Sequence, residues 1–138
     1  MTAESNGKLA RRWFEEGWNQ RKPGVVTELF APDGVGYMEG PAGDVEIRGP
    51  EMFLQARAAL LEAIPDLAVT VDGTVAQGDD VVVRWTANGT HRGEGLGIPA
   101  TGKTVRFRGM SWLRFRDGKV VSGWDAWNQG RLFSDLRA

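Results

Sequence analysis

Apolar residues recur at helical spacing over the first third of the chain. Leu9, Ala10, Trp13, Phe14, Gly17 and Trp18 form one stripe, and Arg11, Arg12, Glu15, Glu16 and Gln20 fall on the opposite face. Pro23-Gly24 ends this helix, and Pro23 can also open a second, short one carrying Val25, Val26, Leu29 and Phe30 up to Pro32-Asp33. A brief strand is expected from Val35 to Glu39, then a Gly- and Pro-rich loop from Gly40 to Gly49. Gly49-Pro50 opens a third helix with Phe53, Leu54, Ala58, Leu60, Leu61 and Ile64 on its buried side, ending at Pro65.

From Asp66 onward the period changes to two. Four strands fit: Leu67 to Gln77, Asp80 to His91, Lys103 to Arg116 and Lys119 to Asn128, with Gln77-Gly78-Asp79 and Asp117-Gly118 as turns. Long neighbouring strands joined mainly by short turns predict an antiparallel meander. With the helices first, the class is α+β, helices laid over one face of a curved sheet.

Composition narrows the function. A chain of 138 residues reads as one domain, 1–138, large enough for a core of its own. With no cysteine and one histidine, it offers neither disulfides nor a zinc ligand set. The start has no charged-then-apolar leader and no apolar run approaches bilayer length, so a cytoplasmic protein off the membrane is expected. A formal net charge of -1 gives no general field for nucleic acid. Six tryptophans suggest aromatic pocket walls as well as core, Trp18 among them.

Two local signals compete. Gly97-Ile98-Pro99-Ala100-Thr101-Gly102-Lys103-Thr104 matches the phosphate-loop pattern GxxxxGK[ST], which functions only where a helix follows and aims its N-terminus at the phosphates. Here an alternating strand follows, so the segment reads as a strand connection. The lone histidine, His91, is the better lead, because imidazole is the side chain whose unperturbed pKa lies near neutrality. The alternatives are a proton-transfer group and a solvated residue at the pocket rim.

The order of phrases along the chain resembles the SnoaL-like polyketide cyclase family of the nuclear-transport-factor-like superfamily. The phrases are Trp18-Asn19, Gly49-Pro50-Glu51, Pro65-Asp66, Gly78-Asp79, Gly89-Thr90-His91-Arg92-Gly93, Pro99-Ala100-Thr101-Gly102-Lys103, Asp117-Gly118-Lys119-Val120 and Trp124-Asp125-Ala126-Trp127-Asn128. The resemblance implies a cone-shaped α+β barrel, three N-terminal helices packed on a curved antiparallel sheet around an apolar pocket, with homodimerisation through the sheet's outer face. It also implies cofactor-independent chemistry, intramolecular aldol closure by an Asp of the last strand, with isomerases and lyases (dehydratases) in the wider superfamily.

Under that resemblance, the position four residues after the last strand's Trp124, the family's usual acid/base, is Asn128. An amide orients a carbonyl but does not exchange its proton near neutral pH. Asp125, three residues earlier, is expected on the opposite face. The candidate catalytic set is therefore Asn128, His91 and Tyr37, all polarising a substrate carbonyl. Alternation puts Phe107 and Ser111 on the pocket face of their strand, and Ser122, Trp124 and Asn128 on that of the last, so Trp124, Ser111, Phe107, Trp18 and Ser122 form the candidate binding surface. Arg106, Arg108, Met110, Trp112, Arg114 and Arg116 face outward. Glu39, Asp44 and Glu46 are loop carboxylates available at one end. Two functions follow: a cofactor-free cyclase, isomerase or dehydratase acting on a small apolar ketone or polyketide-like substrate, or a non-catalytic small-molecule-binding module, with Asn128 separating them.

Overall fold

A computed structural model describes residues 2–40 and 42–138. Helix α1, Ala3–Arg12, is closed at its start by a capping box in which Thr2 Oγ1 accepts from the Ser5 backbone N–H while Ser5 Oγ accepts from that of Thr2. It runs straight into a π-helical stretch, Trp13–Asn19. Helix α2 is Pro23–Leu29, with proline in its first turn where no N–H is needed. Strand β1, Phe30–Gly40, and strand β2, Gly43–Arg48, precede helix α3, Gly49–Ala63. Strands β3 (Ala68–Gln77), β4 (Asp80–Thr90), β5 (Thr104–Arg116) and β6 (Lys119–Trp127) follow, and helix α4, Gln129–Arg137, ends the chain.

The class is α+β: six strands in the order β2-β1-β6-β5-β4-β3, with the N-terminal helices and α3 against the sheet. The limits of the four strands after Asp66 match those expected from the sequence to within about one residue. The earlier half departs from it in three places. Phe30 opens β1 instead of closing α2, and β1 extends through Pro32-Asp33-Gly34 by a register shift between Phe30 and Val35. Part of the expected loop is β2, paired antiparallel with β1 from Val35↔Arg48 to Gly40↔Gly43; Pro41, within the same expected loop, lies outside the described residues. The sheet is also not wholly antiparallel, because β1 runs parallel to β6. Helix α4 is a fourth helix where the pattern showed three.

Side-chain clasps fix the helices to the sheet. The Asn19 amide donates to the Val69 carbonyl and accepts from the Val69 N–H, both at 2.7 Å, as a strand would. Asp66 accepts from the Thr90 N–H at 2.7 Å and from its hydroxyl at 2.8 Å, and these bonds hold its carboxyl below the usual range. The core joins Trp13, Phe14, Leu29 and Ile64 to Val81, Val83, Phe107 and Phe115. No helix among the described residues is long and apolar enough to cross a membrane.

Candidate functional site

Strand β5 alternates as its sequence predicts: Val105, Phe107, Ser111, Leu113 and Phe115 are buried, and Arg106, Arg108, Met110, Trp112 and Arg114 are exposed. Strand β6 does not keep a single alternation. Val120 pairs with Phe115 while Ser122 pairs with Arg114, so Val121 is an extra residue on β6, a bulge. One inserted residue exchanges the faces of all that follow. Gly123, Asp125 and Trp127 therefore lie opposite Leu113, Ser111 and Gly109 on the inner face, and Ser122, Trp124 and Ala126 lie opposite Arg114, Trp112 and Met110 on the outer one. The expected facing of Ser122, Trp124 and Asp125 is reversed for this reason.

Between the inner face and the helices is a cavity of about 220 Å³. Its walls include Trp13, Trp18, Trp85, Phe107 and Trp127, and its few polar side chains are Arg57, Ser111, Asp125 and Gln129. Gly109 makes room for two of the indoles: a Cβ there would come within 2.6 Å of both Trp127 Cβ and Trp85 Cζ2. Gln129 joins α4 to the rim, its Nε2 donating to the Glu39 carbonyl at 3.1 Å.

Three adjacent strands align a directed chain of hydrogen bonds. Trp85 Nε1 on β4 donates to Ser111 Oγ on β5 at 3.1 Å, and Ser111 Oγ donates to Asp125 Oδ1 on β6 at 2.5 Å. Indole has only a donor, so it fixes the serine hydroxyl as donor toward the carboxylate. Burial pushes the Asp125 carboxyl above its ordinary value, and the Ser111 bond acts the other way. The result is a carboxyl of raised proton affinity in an apolar cavity, with a fixed orientation.

Of the residues singled out in the sequence, Trp18, Phe107 and Ser111 line this cavity. Asn128 is exposed and caps α4, its Oδ1 accepting from the Arg131 N–H at 3.0 Å. His91 is fully buried away from any rim; its Nδ1 accepts from the Thr101 N–H at 3.2 Å and lies 3.0 Å from Thr101 Oγ1, so it clasps the connection between β4 and β5. That connection is the phosphate-loop look-alike, and β5 follows it. Tyr37 stacks on Trp124, ring centroids 4.4 Å apart, on the outer side, and borders a smaller cavity of about 30 Å³ that Asp125 also borders. Trp124 is 58% exposed and Ser122 half-buried beside it. The sequence reading missed Asp125, Arg57, Trp85 and Trp127. For Asp125, the available signal was Lys119-Val120-Val121, where two consecutive apolar residues interrupt the alternation. Among the described residues no group of three or more His, Asp or Glu side chains converges as metal ligands.

The helix-covered sheet thus turns, among the described residues, one carboxyl side chain of its last strand into an aromatic cavity. The chain belongs to the SnoaL-like polyketide cyclase family, whose model matches residues 8–136. It is similar to a candidate SnoaL-like polyketide cyclase from Jannaschia sp. CCS1 at 25% identity and TM-score 0.89, over 99% of this chain and 94% of that one. It is similar to AclR, a candidate hydroxylase from Streptomyces galilaeus, at 32% identity and TM-score 0.86, over 99% and 83%. It is also similar to IdmH, a candidate polyketide cyclase from Streptomyces antibioticus, at 29% identity and TM-score 0.83, over 96% and 99%. No curated protein matches its sequence.

Proposed function

We propose that the chain is a cofactor-independent enzyme of the cyclase or isomerase kind that takes a proton from the carbon next to a carbonyl in a small apolar, polyketide-like substrate. The observation that carries this reading is Asp125, a carboxyl enclosed by an apolar cavity and held by Ser111. As carboxylate, Asp125 accepts the α-proton. The enolate carbon attacks a second carbonyl of the same molecule, forming the ring bond, and protonated Asp125 returns the proton to the new alkoxide. A raised pKa makes the carboxylate the stronger base, and the acid formed when it takes the α-proton is in place to protonate the alkoxide. Aromatic walls exclude water from the enolate. The non-catalytic alternative rested on an amide at the acid/base position; Asp125 in the cavity and Asn128 as a helix cap support the enzyme reading over it.

Exchange of α-hydrogens of aromatic methyl ketones into deuterated water, followed by NMR, tests the chemistry. Asp125→Asn is expected to reduce exchange by about 10²- to 10⁴-fold, with ligand binding retained by tryptophan fluorescence. Exchange that survives in Asp125→Asn would remove the assignment, and product carrying an added oxygen would favour a hydroxylase. We further propose that two copies pair through the outer face of the sheet.

A further inference from the structure

Among the described residues, Arg57 is the one cationic side chain lining the cavity, on the wall formed by α3. It is 7% exposed. Its Nε donates to the Gly17 carbonyl at 2.9 Å, within the π-helical stretch, and Nη2 is buried with no hydrogen-bond partner among the described residues. None of the ion pairs among the described residues includes it, and the nearby charge that acts on it, Arg21, has the same sign. Burial and Arg21 both weigh against its charge. A guanidinium held in an apolar cavity with donors unused and no counter-charge is unfavourable unless a ligand completes it, since breaking or omitting one half of a buried pair is what costs most. Helix-to-helix bridging needs only the Nε bond and leaves the remaining donors unexplained. The partner that matches a planar fork of N–H donors is a carboxylate, which accepts two parallel bonds.

We propose that Arg57 is a specificity-determining residue that anchors a carboxylate on the apolar frame of the substrate, so that the cavity prefers aromatic acids to their neutral esters. This rests on the cavity being the ligand site and does not depend on the role of Asp125. The substrate would be held by Arg57 through its acid group while its ketone is presented to the carboxyl of β6.

The test compares 2-naphthoate with methyl 2-naphthoate at neutral pH by calorimetry, using the whole chain. Wild type should bind the acid at least about tenfold more tightly than the ester, the effect of a charge-assisted hydrogen bond in a dry site. Arg57→Met should lose that preference while keeping the ester's affinity, and Arg57→Lys should recover part of it. A purely structural Arg57 would lower thermal stability in Arg57→Met without changing the acid-to-ester ratio, which overturns the proposal. Equal binding of the two probes by wild type overturns it without any variant and leaves the cavity reading standing. Binding of neither probe overturns both.

Discussion

Asp125 is held in a surrounding that favours its neutral form more than water does, and beside the catalytic role proposed for it this has a thermodynamic consequence. Its folded pKa is raised above the ordinary value of 3.8, burial being the larger cause. Between those two values the folded protein binds more protons than the unfolded chain, so its contribution to stability is fully present below the unfolded pKa and is lost as pH rises through the folded one. Asp125→Asn has no such titration. Its melting temperature relative to wild type should therefore rise as pH is taken from below the ordinary carboxylate value toward alkaline, with the two proteins closest in acid. A gap that narrows with rising pH would mean that Asp125 is stabilised as the carboxylate. The same group's activity should follow the opposite course, increasing as pH rises and the base ionises. A residue that lowers stability where it is most active is the expected signature of a functional carboxyl rather than a structural one.

At the scale of elements, the sequence was legible where alternation is regular and failed where one residue breaks it. The limits of β3, β4 and β5 follow from period two and turn residues, and β5 sorts its arginines outward as expected. On β6 the Val121 bulge reversed every later side chain, and Asp125 and Trp124 exchanged faces with it. Strand β2 was hidden because Gly43 to Arg48 is short and sits in a Gly-rich stretch, although Val45 and Ile47 do alternate with Asp44, Glu46 and Arg48. Other phrases that carried the family resemblance prove to be fasteners: Asn19 on Val69, Asp66 on Thr90, and Gly93, where a Cβ would come within 2.0 Å of the Glu62 carbonyl oxygen. Asn128 belongs with these. As the cap of α4 it satisfies an N–H that would otherwise face solvent alone, so Asn128→Ala should lower stability by about 1 kcal/mol in chemical denaturation. Its α-hydrogen exchange rate should be unchanged within about twofold, since the side chain does not line the cavity; Asn128→Asp should behave like wild type in both measurements. A fall in exchange by an order of magnitude in either variant would return Asn128 to the catalytic set.

For the whole molecule, the bulge that turns Asp125 inward turns Trp124 outward, beside Trp112, which the regular alternation of β5 already places on that face. Trp112 and Trp124 pair across β5 and β6 and are 51% and 58% exposed; Met110, 52% exposed, lies beside them, and Tyr37 stacks on Trp124 from β1. Exposed aromatic area of this kind, rimmed by Arg84, Arg108 and the Arg114–Asp80 ion pair, has the composition of an interface core with a charged border. A second copy related by a two-fold axis would set like against like, indole on indole, while the charged border fixes the angle. Sedimentation velocity at micromolar concentration should give a dimer for wild type and a monomer for Trp112→Glu combined with Trp124→Glu, with far-ultraviolet circular dichroism unchanged. A wild-type monomer under those conditions would rule the dimer out. Ser111, Asp125 and Trp127 lie on the face of the sheet opposite the proposed pairing surface, so the monomeric variant should keep its exchange activity per chain. A large loss with the fold intact would mean that the second copy stiffens the two strands whose other face holds Ser111 against Asp125.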